Sequence, residues 1–377
     1  MSSTHPPSTC AVTVISANYL PFARVLFASL AQLHPEIRGV AVLVDQNTGY
    51  FDPLKETFEV LPIETLQIPQ LPQFLFQYTL PERIYACKPY ALQAALQRHP
   101  ECEYFFYFDS DILICGPLHA AFMALEEDAI LLTPSKLQPA AEGEFFDDFS
   151  ALHHGHFNAG FLGLRRGPIA SAFLEWWAGK CLHECVFDPA RALFVDQRWL
   201  DLVPALFEGV HILRDPTYNV APWNLSQRSI ASAESGFAVA GAPLTFFHFA
   251  GYSPAKPDEL SSYSAPGTRP ALVPPMLTSL FARYQAALFA AGYESCRHWE
   301  PAYERFRDGT PIPPLWHVYY HDVLRERMPP EHDPFAGLPW SPVLELLKRI
   351  KADPRRVRIQ PLYREWVRAM RYLERKR

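Results

Sequence analysis

The stretch Tyr104-Phe105-Phe106-Tyr107-Phe108-Asp109-Ser110-Asp111-Ile112-Leu113-Ile114 decides the fold. An apolar, aromatic run that stops at polar residues reads as a buried strand. Side chains alternate along a strand, so Asp109 and Asp111 leave its end on the same side. Two carboxylates that close repel each other unless a cation sits between them. A divalent metal held by hard oxygen ligands, with positions left open for a phosphate-bearing ligand, accounts for the pair most simply.

Upstream of this strand, residues 11–17 read as a first buried strand and Asn18-Tyr19-Leu20-Pro21 as a turn. Residues 22–33 repeat apolar side chains at helical spacing (Val25, Leu26, Leu30, Leu33). Residues 39–44 form a second strand ending at Asp45, residues 60–68 a third, and residues 85–97 a helix. This alternation is the signature of an α/β protein with a parallel, doubly wound sheet. Ligands of such sheets gather at the carboxyl ends of the strands, where Asn18, Asp45, Asp109 and Asp111 all fall. No glycine-rich phosphate loop follows any strand, which argues against dinucleotide cofactors and P-loop chemistry.

Downstream, residues 129–133 and 158–164 read as strands, 171–181 and 197–207 as helices, and 245–249 as a short aromatic strand. From residue 266 the pattern turns helical, with 277–290 and 303–307 as candidates. The expected division is an α/β domain over residues 1–265 and a helical extension over 266–377.

The chain of 377 residues is 49% apolar and 14% aromatic, enough for a large core. A net charge of −6 argues against nucleic acid as a partner. The charge is uneven: residues 348–377 hold 12 Lys/Arg against 3 Asp/Glu. In this tail Tyr363, Trp366, Met370 and Leu373 interleave with Arg364, Arg368 and Arg371. That mix suits docking on an anionic membrane surface, although such runs are more often solvated helix faces. Residues 1–10 are polar and proline-rich, unlike a signal peptide, and no apolar run is long enough to span a bilayer. The seven cysteines are scattered, which favours a reducing compartment. The expectation is a cytoplasmic protein with peripheral membrane contact through the tail.

Further motifs carry chemistry. Phe246-Phe247-His248-Phe249-Ala250-Gly251 sets one imidazole in an aromatic strand, as a core histidine or as a third ligand beside two carboxylates. Phe157-Asn158-Ala159-Gly160-Phe161 joins an amide to two small residues that permit close backbone approach. Val195-Asp196-Gln197-Arg198-Trp199 places an acid and an amide at a helix start, where Asp196 could serve simply as an N-cap. Tyr218-Asn219 and Trp223-Asn224 suit either carbohydrate contact or loop packing. Cys181-Leu182-His183-Glu184-Cys185 lacks a second ligand pair for zinc, and His153-His154-Gly155-His156 reads as a polar loop.

In their order, Asp109-Ser110-Asp111, Asn158-Ala159-Gly160, Asp196-Gln197 and His248 to Gly251 resemble the metal-dependent glycosyltransferases of the GT-A fold. The resemblance is greatest to the retaining family-8 enzymes and runs over residues 11–256. It implies a Rossmann-like, mainly parallel sheet flanked by helices. It implies that Asp109, Asp111 and His248 ligate Mn²⁺ or Mg²⁺, which binds the diphosphate of a nucleotide sugar, usually a UDP-sugar. Ser110, Ala159 and Gly251 would lie against this donor. Asn158 would face the sugar or its acceptor, with Asp196 and Gln197 as catalytic residues at the anomeric carbon. Ala17, Asn18, Tyr19 and Asp45 would hold the nucleoside, Tyr19 stacking on the base, and Lys88 would approach the donor. Lys256 would bind a phosphate, but it stands two positions later than the family spacing His-x-x-Gly-x-x-Lys-Pro. The implied activity is hexose transfer to a glycan or lipid-linked acceptor in surface polysaccharide or glycoconjugate synthesis. Two alternatives are a nucleotidyltransferase, which usually needs a glycine-rich loop that residues 16–21 lack, and a non-catalytic carbohydrate-binding protein.

Overall fold

The aromatic run forms a strand over Tyr104–Phe108 in which all five residues are buried. The computed structural model describes residues 8–142, 144, 146–233, 236–263 and 271–337. The basic tail, and with it the expected membrane contact, lies outside the described residues. In chain order the elements begin with β1 (Thr9–Ile15), α1 (Leu20–Leu33), β2 (Arg38–Leu43), β3 (Glu59–Pro62), α2 (Leu71–Gln77), α3 (Leu80–Arg98), β4 (Tyr104–Phe108), β5 (Ile112–Ile114), α4 (His119–Glu127) and β6 (Ile130–Pro134). They continue with α5 (Asp148–His154), β7 (Phe157–Arg165), α6 (Pro168–Cys181), β8 (Phe187–Asp188), β9 (Leu193–Phe194), α7 (Val203–Leu206) and β10 (Val210–Ile212). The last are β11 (Ile230–Ala233), β12 (Gly236–Val239), β13 (Ala242–Pro243), β14 (Phe246–His248), α8 (Thr278–Ala290), α9 (Tyr293–Cys296) and α10 (Pro314–Tyr319).

Seven strands make the central sheet in the order β10-β6-β7-β4-β1-β2-β3. All run parallel except β7, which is antiparallel to both β4 and β6. This is the mainly parallel, helix-flanked α/β sheet implied by the GT-A resemblance. The strand period of two sorts the core onto its two faces. Val12, Val14, Phe105, Tyr107, Leu162 and Leu164 pack on one face, with Ala91 of α3 and Trp177 of α6. Ala11, Ile15, Phe106, Phe108 and Phe161 pack on the other, with Leu26 of α1 and Leu125 of α4. Helix α3 opens with a capping box between Thr79 and Glu82 and with Pro81 in its first turn, both strong start signals.

Three expected elements differ. The strand expected over residues 60–68 is only Glu59–Pro62 and gives way to a 3₁₀ turn, because Pro62 has no N–H to continue a ladder. The helix expected over 197–207 is a 3₁₀ turn (Gln197–Leu202) followed by the short α7. Residues 303–307 are not helical: Tyr303 has φ of +64° and Arg305 bridges Pro311. The segment after residue 290 contributes to the main core. Phe76 of α2 meets the rings of Phe306, His317, Tyr320 and Phe335.

Candidate metal centre and its surroundings

Beyond β4 the chain turns sharply, with Ile112 N–H donating to Asp109 C=O (3.2 Å). It then runs back as β5, which pairs antiparallel with β14 in a register that sets His248 opposite Ile112. That pairing brings a histidine 137 positions downstream to the two acids. His248 Nε2 lies 3.1 Å from Asp111 Oδ1 and 3.8 Å from Asp109 Oδ2. Among the described residues, Asp109, Asp111 and His248 are the group of three whose ligand atoms come within 4.8 Å of one another.

The three side chains suit a hard divalent cation. With metal–ligand bonds of about 2.0–2.1 Å, adjacent octahedral ligands stand about 3 Å apart, close to the 3.1 Å between His248 and Asp111, while Asp109 stands farther, at 3.8 Å from His248. The side chains of Asp109 and Asp111 are one-fifth exposed and His248 is buried, so the site is open on its acidic side. Burial works against charge on both Asp111 and His248, but their mutual attraction outweighs it. The acid is lowered and the imidazole raised.

The backbone of β7 sits directly beneath. A Cβ on Gly160 would stand 2.5 Å from His248 Cε1, 2.7 Å from Asn158 Oδ1 and 2.9 Å from Asp109 Oδ2. The glycine makes room for the site's own side chains.

Lys88, on α3, is buried and points at the acids. Its Nζ lies 3.0 Å from Asp109 Oδ1 and 3.2 Å from Asp196 Oδ2, and donates to Ala159 C=O (3.1 Å). The Tyr85 and Tyr107 rings face it at about 5 Å. Burial alone would strip its charge, but Asp109 and then Asp196 hold it above the usual lysine range. Asp196 is buried, and burial pushes its carboxyl up to about 6 although Lys88 pulls the other way. It follows Val195, whose φ of +44° is strained for a β-branched residue.

The structure places the other expected residues as follows. Gln197 Oε1 accepts from Asn158 Nδ2 (2.9 Å) and from Ala159 N–H (3.2 Å), and its Nε2 donates to His154 C=O. Asn158 Oδ1 accepts from Gly160 N–H and Asn219 Nδ2. Asp45 is buried and accepts from Ala17 N–H and Ala302 N–H, both at 2.8 Å. Asn18 accepts from the Ser16 hydroxyl. Tyr19 is partly exposed and stacked on Phe22, and its hydroxyl is raised to about 12 by its own burial and next by the Asp111 charge. Gly251 has φ of +74° and a Cβ there would meet Ser261 Oγ at 2.5 Å, so the turn after His248 requires glycine. Lys256 is exposed and pairs with Glu259. Ser110 is buried between the two acids.

Two residues matter more than their motifs suggested. Asn219, read as a carbohydrate contact or loop residue, is buried and meets His248 Nδ1 at 3.3 Å. The Tyr107 hydroxyl donates to Asp109 Oδ1 (2.9 Å), a contact available from the strand period because positions 107 and 109 share a side. Cys181 and Cys185 are buried free thiols, and His183 faces Gln77 instead of them.

No family model matches the chain. Solved structures similar to it include the galactosyltransferase LgtC in complex with donor and acceptor sugar analogs (15% identity, 74% of this chain and 95% of that one, TM-score 0.42). Another is the apo form of the glycosyltransferase GlyE of Streptococcus pneumoniae TIGR4 (13% identity, 80% and 67% coverage, TM-score 0.42). Likenesses this remote assign nothing to the chain. The uncharacterized protein YfnD of Bacillus subtilis (strain 168) is 24% identical over 193 residues, 51% of this chain and 60% of YfnD. The uncharacterized protein YfnF of the same organism is 30% identical over 244 residues, 64% of this chain and 80% of YfnF. The chain has a mainly parallel, helix-flanked α/β architecture and belongs to the same family as YfnF.

Proposed function

We propose that this protein is a divalent-metal-dependent glycosyltransferase. It moves a hexose from a nucleotide sugar, UDP-linked, to a glycan or lipid-linked acceptor with retention of configuration. The observation that carries the reading is the convergence of Asp109, Asp111 and His248 at a strand's carboxyl end, with Lys88 and Asp196 directly behind.

Asp109, Asp111 and His248 would hold Mn²⁺ or Mg²⁺, and the bound ion would neutralise the charge that builds on a diphosphate leaving group. Asp109 is oriented from two sides, by the Tyr107 hydroxyl and by Lys88. Lys88 keeps positive charge within reach of the leaving group and holds Asp196 in place. The Asp196 carboxylate supplies negative charge towards the oxocarbenium-like sugar. Gln197 is already held by three hydrogen bonds, so it shapes the donor pocket while Asp196 carries the charge. Tyr19, partly exposed beside Asp111, offers its ring to the nucleoside. Asp45 ties the loop after β1 to residue 302 and so supports the nucleoside side of the cleft.

The test is UDP release from a panel of UDP-sugars with Mn²⁺. Asp109→Ala and Asp111→Ala should abolish hydrolysis and transfer. Turnover that survives chelation in these variants would refute the proposal.

A further inference from the structure

Two backbone N–H groups on β7 fix the direction of every amide between Gln197 and His248. Ala159 N–H donates to Gln197 Oε1, so that oxygen faces β7, and Asn158 Nδ2 is the group that meets it. Gly160 N–H donates to Asn158 Oδ1, which therefore presents an acceptor to its other neighbour. Asn219 must turn its Nδ2 to that oxygen, at 3.1 Å, and also reaches Thr133 Oγ1 at 3.3 Å. Its Oδ1 is then left facing His248 Nδ1 at 3.3 Å. An amide oxygen can only accept, so the imidazole must carry a proton on Nδ1. Nε2 is thereby the nitrogen turned to Asp109 and Asp111, where it donates to Asp111 Oδ1 until a cation takes that proton's place.

The backbone at position 219 matches this duty. Asn219 is fully buried with φ of +50°, a conformation that asparagine and aspartate tolerate and β-branched residues resist. Its position is tied further by Asn224 Nδ2, which donates to Asn219 C=O at 3.0 Å. The Trp223 ring stands edge-on to the imidazole, with centroids 5.3 Å apart, and closes its remaining side.

We propose that Asn219 is the positioning residue of the metal centre: it holds the Nδ1–H of His248, which keeps Nε2 turned to Asp109 and Asp111, and, through Asn158, couples that imidazole to Gln197. The proposal deepens the glycosyltransferase reading and names a residue to which that reading assigns no role. Histidine ligands are commonly oriented by an acceptor on the far ring nitrogen, and losing it weakens metal binding by about 10–100-fold. Here the acceptor is an amide whose other end is committed to Asn158, so one side chain serves two ends of the site.

Two substitutions separate the two ends. Asn219→Asp keeps an acceptor for Nδ1–H but removes the donor to Asn158, and its carboxylate turns the Asn158 amide over and breaks the link to Gln197. Asn219→Gly keeps the backbone conformation and removes both contacts. The first readout is the hydrogen exchange of the His248 Nδ1–H, followed by nitrogen NMR in metal-free protein. It should be slow in wild type and in Asn219→Asp and fast in Asn219→Gly. The second is Mn²⁺ affinity by calorimetry. It should stay within about threefold of wild type in Asn219→Asp and fall by about 10–100-fold in Asn219→Gly. The third is turnover with saturating Mn²⁺, where kcat should drop in Asn219→Asp with metal affinity kept. A His248 Nδ1 without a proton in wild type, or unchanged Mn²⁺ affinity in a folded Asn219→Gly, would overturn the proposal. Failure of wild type to bind Mn²⁺ would strike the cation reading alone, because the Nδ1–H is read without metal.

Discussion

Replacing Gly160 by alanine adds one methyl group at the most crowded point of the centre. The new carbon would sit 2.5 Å from His248 Cε1, 2.7 Å from Asn158 Oδ1 and 2.9 Å from Asp109 Oδ2. Carbon atoms prefer separations of about 3.5–4.0 Å, so the imidazole must retreat by about 1 Å. It has little room, because β14 is paired to β5 on one side and Trp223 stands on another. Overpacking of this kind typically costs about 1–3 kcal/mol. At about 2.1 cal/mol/K per residue the unfolding entropy of a chain this size turns that into a fall in Tm of only about 1–4 °C. The larger effect is on the ligand set. A 1 Å shift of His248 or Asp109 spoils the spacing a small octahedral cation demands, and Mn²⁺ affinity should weaken by at least about tenfold, roughly 1.4 kcal/mol. Calorimetric titration of Mn²⁺ beside a thermal melt measures both quantities on one preparation. A Gly160→Ala protein with normal Tm and Mn²⁺ affinity within twofold of wild type would refute the reasoning, since the methyl group would then have been accommodated without moving a ligand.

Lys88→Met should destabilise the metal-free protein by about 3–5 kcal/mol in urea, because it leaves Asp196 buried without its cation, and adding Asp196→Asn should recover part of the loss. A Lys88→Met protein as stable as wild type would contradict the buried pairing. Burial raises the Asp196 carboxyl to about 6, and the proposed role needs the ionised form. The kcat measured at saturating Mn²⁺ should therefore be full above that value and fall about tenfold per unit as the pH drops below it, and a flat profile down to the ordinary carboxylate range would exclude Asp196 from the reaction. A chain ended at residue 265 should give no cooperative melt. It would strip Phe306, His317 and Phe335 from Phe76, the Ala302 N–H from Asp45 and Glu304 from the buried Arg83. A soluble, cooperatively folding 1–265 fragment would show that the later segment is dispensable.

The parts of this molecule that could be read from sequence are those governed by local periodicity. The five aromatic residues of β4 and the acid pair after them needed only the strand period, as did the alternation that defines the sheet. That His248 meets the two acids could be settled from sequence only by resemblance, because it depends on β14 pairing with β5 across more than a hundred intervening residues. Asn219 was ambiguous for the same reason: its partners lie on β6, β7 and β14, and no local pattern marks an amide that joins three strands. The helix expected over residues 303–307 failed because composition favoured it while tertiary contacts decided otherwise. There the Tyr303 hydroxyl bonds Glu64 and Ala302 N–H bonds Asp45, which hold the backbone in an irregular path. Lys256 stood at a departure from the family spacing, and in the structure it turns to Glu259.

The central claim is that one divalent cation sits between Asp109, Asp111 and His248 and meets the diphosphate of a sugar nucleotide. Anomalous diffraction at the manganese edge, from crystals grown with Mn²⁺ and UDP, tests it most directly. The expected result is a single strong peak bonded to all three side chains and to phosphate oxygens. A bound UDP with no peak at these residues, or a peak held by other groups, would contradict it.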